Sequence, residues 1–356
     1  MLTKCVDELI KSTMKERVGY IDSLKGLAIL LMVMGHVIAN QFPSYRVALD
    51  DEPHLTMLVW RIIYSFHMPL LMFCSGLVSL HMKDFSWKGI GLVVWKRMYT
   101  LLLPFVCSGF LLHVVIHSDT FGLWYLWLLF QFIVVVLLID GLCMLLPKYG
   151  KTFSTIAIIA FALAVHIWYR KFYYLERLPL IDVGHWSLFP YFCMGVICAR
   201  YDLCNRWFSK NWVFTCALVL FAFLTYWLTV QGCHIPRQSI TGCLLPISSI
   251  IALVYLFKVG LEKSASRGVL GLQNIGRHSM EVYILHFLFL VRMHSIGDFV
   301  LCQANTDGGG RTIFFVQICS SFACAIIIII LCYVTMNVVN KSKLLSLLLL
   351  GRKSTM

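Results

Sequence analysis

The sequence predicts an all-α polytopic membrane protein in which about ten transmembrane helices form one bundle. Of its 356 residues, 60% are hydrophobic and only 13% are charged, and the mean hydropathy is +0.81. A soluble globular domain is roughly 45–50% apolar and about 25% charged. The apolar residues also fall in runs of about 20, which is the length that crosses a bilayer as a helix. The composition therefore excludes a chain of soluble domains.

Ten apolar segments are long enough to be spans, and they divide the chain into three parts. Residues 1–19 form a predicted cytoplasmic N-terminal segment, 20–338 the transmembrane domain and 339–356 a cytoplasmic C-terminal tail. The third segment contains Pro104, which a membrane helix accommodates with a kink. The sixth is the weakest because it is short and contains Pro190 and Gly195. The predicted spans are 20–40, 57–80, 90–116, 122–146, 153–170, 186–203, 212–231, 242–260, 276–295 and 312–338.

The distribution of basic residues predicts the orientation of the bundle. Ten spans place both termini on one side, and the segments on that side carry 21 Lys and Arg residues against 7 on the opposite side. Cytoplasmic loops are the ones enriched in Lys and Arg. We therefore expect a multi-pass protein of the cytoplasmic (inner) membrane with both termini in the cytoplasm. The basic residues form no single run, so the partner that we expect is the lipid bilayer and not a nucleic acid.

Three ionisable side chains lie on one stripe of the first predicted span, YIDSLKGLAILLMVMGHVIAN. Lys25 and His36 are eleven residues apart, which returns a helix to nearly the same face about 16 Å further along its axis. Asp22 lies three residues before Lys25 and shares that face. Ionisable groups inside a bilayer are costly and by default mark function. A structural alternative stays open: an Asp–Lys pair at the headgroup boundary and a hydrogen-bonded core histidine.

Two further spans carry polar groups at similar depths. The second contributes Arg61, Tyr64 and His67 within RIIYSFHMPLLMFCSG, although Arg61 could simply extend to the interface. The ninth contributes Ser279, Tyr283 and His286 within GRHSMEVYILHF. Histidines on three helices at nearby depths predict one polar cavity. No local metal-ligand spacing such as HExxH occurs, so we predict no metal site.

The residue types suggest acid–base or nucleophilic chemistry with an anionic partner. A histidine such as His36 can take the proton of a hydroxyl or accept an acyl group itself. Lys25 could hold an anionic donor or stabilise developing charge. Lys96 and Arg97, in a basic segment predicted to be cytoplasmic, could bind the phosphates of a soluble donor. The orientation signal explains those charges equally well.

Four motifs, in order, resemble those of the acyltransferase 3 family of integral membrane acyltransferases. YIDSLKGLAILLMVMGH resembles the family's first helix, in which a basic residue, ten intervening residues and a histidine correspond to Lys25 and His36. FHMPLLMFCSG at 66–76 resembles the second helix, and WYLWLLF at 124–130, beginning with Trp124, resembles the W-[FY]-L segment. GRHSMEVYILH at 276–286 resembles the late G-x-x-S-x-x-I-Y-L-x-H segment.

The resemblance implies ten helices, a cytoplasmic acyl-CoA such as acetyl-CoA as co-substrate, no bound cofactor, and modification of an envelope glycan, often by O-acetylation. The acceptor would be the glycan or a lipid-linked sugar precursor, and the form YIDSLKG…GH is similar to the fucose 4-O-acetylase and polysaccharide O-acetyltransferase subgroup. His36 corresponds to the family's essential histidine and Lys25 to its basic partner. Where the family often has R-x-x-R before the proline of helix 3, Arg97 matches and Thr100 does not, which puts a donor-binding role for this pair in doubt.

A transporter or flippase for a lipid-linked sugar or a small anion is the alternative, since intramembrane Lys and His also serve proton-coupled transport. Transporters of that kind often have internal repeats and paired broken helices. The sequence has neither, so it favours the enzyme.

Overall fold

A computed structural model describes residues 19–41, 55–79, 86–116, 123–145, 150–172, 185–230, 239–261, 266–290 and 310–352. These residues form helices and turns, and no strand occurs within them. The α-helices are α1 Gly19–Gln41, α2 Leu55–Ser79, α3 Trp87–Arg97, α4 Leu103–Ile116, α5 Trp124–Met144, α6 Gly150–Phe172, α7 Phe189–Tyr201, α8 Leu203–Arg206, α9 Asn211–Val230, α10 Ile240–Tyr255, α11 Arg267–Arg277, α12 Ser279–Phe289, α13 Gly310–Val339 and α14 Lys343–Leu350.

The helices confirm an all-α polytopic membrane protein. Eight helical segments of the described chain are long and apolar enough to cross a membrane. The predicted sixth and ninth spans contain shorter helices, α7 with 13 residues and α12 with 11. In α7 the cause is local, because Pro190 lies in the first turn and Asp202 ends the helix in the left-handed conformation at φ 54°.

The kink predicted at Pro104 takes the form of a π-helical turn. Met98–Leu102 joins α3 to α4, and the Leu103 N–H donates to the Met98 carbonyl. Proline lacks an N–H, so in a regular helix Pro104 would leave the Thr100 carbonyl without its usual donor. Gly351 lies against this kink at φ +64°, where a Cβ would be 2.7 Å from the Thr100 carbonyl oxygen. The kink is therefore also the place where the C-terminal segment attaches.

The predicted ninth span differs most from what the structure contains. The chain turns at His278, so α12 is preceded by a separate polar helix, α11, which packs on α1. Glycines allow this close crossing: a Cβ on Gly26 would lie 1.9 Å from the Leu272 carbonyl oxygen, and a Cβ on Gly276 would lie 1.8 Å from the Asp22 carbonyl oxygen. Residues 291–295 of the predicted span lie outside the described residues.

The predicted C-terminal tail is partly a docked helix. Ser342 caps α14, and the Ser108 hydroxyl of α4 donates to the Leu349 carbonyl at 2.9 Å. Arg352 forms an ion pair with Glu281, whose residue is only 2% exposed. This segment therefore holds α12 in place. Residues 1–18, which include nearly all of the predicted N-terminal segment, lie outside the described chain.

Helices α2 and α7 cross as closely as α1 and α11. A Cβ on Gly76 would lie 2.2 Å from the Phe192 carbonyl oxygen, and one on Gly195 would lie 2.1 Å from the Phe73 carbonyl oxygen. Phe73 and Phe192 are fully buried beside this crossing. The crossing fixes the helix that carries Tyr64 and His67 against the wall formed by α7.

Candidate active site

A cavity of about 460 Å³ lies at one end of the bundle. Its wall comes from the C-terminal halves of α1, α6 and α9, the middle of α12 and the turn His185–Leu188. The first half and the middle of α2 and the N-terminal ends of α5, α7 and α10 complete it. The orientation predicted from the basic residues would put this end on the extracytoplasmic side, and it stays a prediction. The lining residues are Met32, His36, Trp60, Arg61, Tyr64, Ser65, His67, Met68, Pro69, Trp124, His166, His185, Ser187, Leu188, Tyr191, Leu228, Gly242, Cys243, Leu245, Pro246, Tyr283 and Phe287.

His36 lies in this cavity beside a tyrosine hydroxyl. The Tyr64 oxygen is 3.4 Å from the His36 Nδ1 atom, at the long end of hydrogen-bond distances. Gly35 permits this contact, because a Cβ there would lie 2.7 Å from the Tyr64 Cε2 atom. The Trp60 indole N–H donates to the Gly35 carbonyl at 3.2 Å. Helix α2 thus holds the segment of α1 that carries His36 through both a side-chain and a backbone contact.

His67 is held in a defined orientation by its own helix. Its Nδ1 atom lies 2.6 Å from the Ile63 carbonyl oxygen, which can only accept, so Nδ1 carries the proton. In the neutral ring Nε2 is then the nitrogen without a proton. The rings of Tyr64 and His67 are 5.0 Å apart in an edge arrangement. Two histidines and one tyrosine therefore line the same part of the wall.

His286 lies behind His36 and is fully buried. The two rings are 5.4 Å apart, and the His286 Nδ1 atom donates to the Tyr283 carbonyl at 2.7 Å. Among the described residues, His286 Nε2 has no hydrogen-bond partner. Tyr283 lines the cavity, and its oxygen accepts the Tyr125 N–H at 3.2 Å. The late motif thus supplies one lining tyrosine and one histidine that contacts His36 from behind.

The remaining predicted residues of the cavity are Arg61 and Trp124, and both line it. The Trp124 ring stacks on His185 with the ring centroids 3.9 Å apart. The Trp60 and Tyr64 rings are tilted by 32° to each other, with their centroids 4.3 Å apart. Flat aromatic faces with adjacent polar atoms are suited to binding amphipathic rings.

Three predicted site residues lie away from the cavity lining, towards the opposite end of α1. Lys25 is half-buried about 16 Å from His36 along the helix axis. Asp22 forms an ion pair with Arg277 at 3.5 Å. Ser279 begins α12, seven residues before His286. The late motif therefore contacts both ends of the predicted stripe, Asp22 through Arg277 and His36 through His286.

The two predicted donor-binding residues point in different directions. The Arg97 guanidinium donates to the Ser79 carbonyl at the end of α2, at 3.4 Å, whereas the Lys96 side chain is exposed. Neither residue lines the cavity. The structure therefore gives Lys96 and Arg97 different surroundings, and the Arg97 side chain contacts the last carbonyl of α2.

The polar cavity residues that sequence reasoning missed include His166, His185 and Cys243. Helices that alternate in direction place the end of the fifth predicted span and the start of the eighth at the same end of the bundle as His36. The alternating direction of the spans could therefore have predicted that His166 and Cys243 lie near His36. Within the described residues, no group of three or more His, Cys, Asp or Glu is arranged to hold a metal ion.

Comparison with protein-family models gives one match, to an acyltransferase domain, over residues 18–336. The matched range contains every cavity-lining residue and extends from the segment before α1 into α13. Neither the curated proteins nor the solved structures include a significant match to the chain.

Proposed function

Because the chain belongs to the acyltransferase 3 family, we propose that this membrane acyltransferase moves an acetyl group from cytoplasmic acetyl-CoA to a sugar hydroxyl. The acceptor is an envelope or surface polysaccharide or its lipid-linked precursor, as in the fucose 4-O-acetylase and polysaccharide O-acetyltransferase subgroup. The observation that carries this proposal is the position of His36, whose imidazole lies beside the Tyr64 hydroxyl in a cavity lined by polar and aromatic side chains.

His36 acts as the general base in this proposal. With Nδ1–H donating to the Tyr64 oxygen, Nε2 carries the lone pair that takes the proton of the sugar hydroxyl. The hydroxyl oxygen attacks the thioester carbonyl, a C–O bond forms, the C–S bond breaks, and the proton passes from His36 to the departing thiolate. Tyr64 and His286 orient the ring from two sides.

The aromatic part of the cavity supports a sugar as the acceptor. Sugar rings present apolar faces with hydroxyl edges, which suits stacking on Trp124 or Trp60 beside polar side chains. Arg61 and His67 supply donors and acceptors within the same wall. The cavity volume of about 460 Å³ lies within the range of roughly 300–1,000 Å³ that small-molecule sites occupy.

The donor approaches from the opposite end of the bundle, where Lys25 and the Asp22–Arg277 pair lie. A half-buried ammonium in low dielectric attracts phosphate strongly, so Lys25 directs the anionic part of the donor towards α1. Lys96 and Arg97 remain further candidates for binding the donor phosphates. The acyl end then has to reach His36, about 16 Å away along α1.

The test is transfer of isotope-labelled acetyl-CoA to a panel of p-nitrophenyl glycosides by the purified protein in lipid nanodiscs. We expect labelled glycoside with the native chain and a loss of roughly 10²–10⁴-fold for His36→Ala, the usual contribution of a general base. The matched control is His113→Ala, because His113 is exposed on α4 and does not line the cavity.

Two results would contradict the proposal. Full transfer by His36→Ala would remove His36 from the chemistry. Absence of label on every glycoside, together with uptake of a lipid-linked sugar into proteoliposomes, would make the protein a transporter or flippase instead.

A further inference from the structure

A thiol and an imidazole face each other in the cavity at a place that the chemistry above does not use. The Cys243 sulfur lies 3.6 Å from the His166 Nε2 atom and 3.9 Å from its Nδ1 atom. Both residues line the cavity that contains His36. Cys243 forms no disulfide with another cysteine of the described chain. A cysteine beside a histidine is the pairing by which a thiol becomes a nucleophile.

The position of Cys243 in its helix favours the same chemistry. It lies in the first turn of α10, where the helix dipole stabilises negative charge. Ser239 caps this turn, accepting the Gly242 N–H at 3.0 Å, and the Ser239 carbonyl accepts the Cys243 N–H at 3.2 Å. The Tyr191 hydroxyl donates to the Cys243 carbonyl at 3.5 Å. The sulfur is therefore held on a fixed backbone and faces a histidine on another helix.

We propose that Cys243 is a covalent acyl carrier in the transfer reaction, with His166 as its base. This rests on the proposed function, which it extends by an acyl-enzyme thioester. His166 takes the Cys243 proton, the sulfur attacks the carbonyl of the donor thioester, the donor C–S bond breaks, and the proton passes to the departing thiolate. In the second step the sugar hydroxyl oxygen attacks the carbonyl of the Cys243 thioester, a C–O bond forms and the C–S bond breaks. His36 takes the hydroxyl proton, and that proton passes to the departing Cys243 sulfur, so both imidazoles end neutral.

In the two-step route the donor and the acceptor react one after the other and need not be bound together. The first step exchanges one thioester for another, so the transfer potential of the acyl group is retained until the sugar arrives. Covalent catalysis of this kind divides one difficult step into two easier ones. It also gives separate roles to two of the four histidines that line the cavity, His166 for the thiol and His36 for the hydroxyl.

The experiment traps the intermediate in the intact protein. Labelled acetyl-CoA is added to the nanodisc-embedded chain without acceptor, the sample is quenched in acid, and the labelled peptide is located by mass spectrometry. We expect label on Cys243 that hydroxylamine removes at neutral pH. Glycoside added before the quench should remove the label and yield acetylated glycoside.

Variants then separate the carrier from a structural thiol. Cys243→Ala should lose the label and lower glycoside acetylation by roughly 10²–10⁴-fold. Cys243→Ser keeps the shape of the site and should accumulate a hydroxylamine-resistant ester. His166→Gln should slow labelling about 100-fold. Cys216→Ser is the control, because Cys216 is exposed on α9 and does not line the cavity.

The failure of this inference is distinguishable from the failure of the proposed function. Glycoside acetylation by Cys243→Ala at the native rate, or a Cys243 found in a disulfide by peptide mapping, overturns the carrier and leaves the acyltransferase intact. Label on neither Cys243 nor any glycoside overturns both.

Discussion

Adding a single methyl group at Gly35 should disturb the contact between Tyr64 and His36. In Gly35→Ala the new Cβ would lie 2.7 Å from the Tyr64 Cε2 atom, whereas ordinary van der Waals contact begins at 3.4 Å. The ring must therefore move by at least about 0.7 Å. The Tyr64 oxygen is already 3.4 Å from His36 Nδ1, so a movement of that size away from α1 breaks the contact.

The expected loss follows from that geometry. One hydrogen bond contributes about 0.5–1.5 kcal/mol, which corresponds to a factor of roughly 2–13 in rate. Misplacement of a catalytic group by about 1 Å costs up to about 100-fold. We therefore expect kcat for glycoside acetylation to fall by roughly 10–100-fold. The stability should change by less than about 1 kcal/mol, because the ring end can move and because alanine is the better helix former by about that amount.

The assay compares kcat and thermal unfolding of Gly35→Ala, Tyr64→Phe and the double variant. Since both single changes act on the same contact, their effects should not add. Gly91→Ala is the matched control, because nothing lies within 4 Å of a Cβ at that exposed position of α3. Native kcat in Gly35→Ala, or strictly additive losses, would refute the role assigned to the Tyr64–His36 contact.

Two further predictions concern stability. Gly276→Ala places a Cβ 1.8 Å from the Asp22 carbonyl oxygen. Because backbone atoms cannot move aside as a side chain can, we expect the free energy of unfolding in detergent to fall by at least about 3 kcal/mol. The control is Gly271→Ala, whose Cβ meets nothing within 4 Å and should be neutral or stabilising; equal stability of the two variants would contradict the close crossing of α1 and α11. Arg352→Ala leaves the buried Glu281 carboxylate without its guanidinium partner and should lower the free energy of unfolding by about 3 kcal/mol. Adding Glu281→Gln to that variant should restore part of the loss. An unchanged unfolding temperature in Arg352→Ala would contradict the ion pair.

The spans were predictable because hydrophobic length is a local property. The first predicted span, 20–40, matches α1 at Gly19–Gln41, and the second, 57–80, matches α2 at Leu55–Ser79. The kink near Pro104 was predictable for the same reason, since the missing N–H belongs to that residue. Helix α11 was not, because its sequence is polar and its packing depends on Gly26 and Gly276, which meet only in three dimensions.

The candidate site was predictable only where its residues share a motif. His36, Tyr64, His67 and Tyr283 belong to recognisable segments, and the structure brings them to one cavity. Cys243 has no such context and is one of fourteen cysteines, most of them in apolar stretches, where a thiol usually acts as a small apolar residue. The docking of α14 was equally hidden, because it depends on contacts with Ser108 and Glu281 far away in the sequence.

Helix α12 is shorter than the hydrocarbon layer of a bilayer is thick. Its 11 residues rise only about 16 Å, whereas the hydrocarbon layer is about 30 Å thick. Helix α12, which carries the buried His286, is therefore too short to cross that layer by itself.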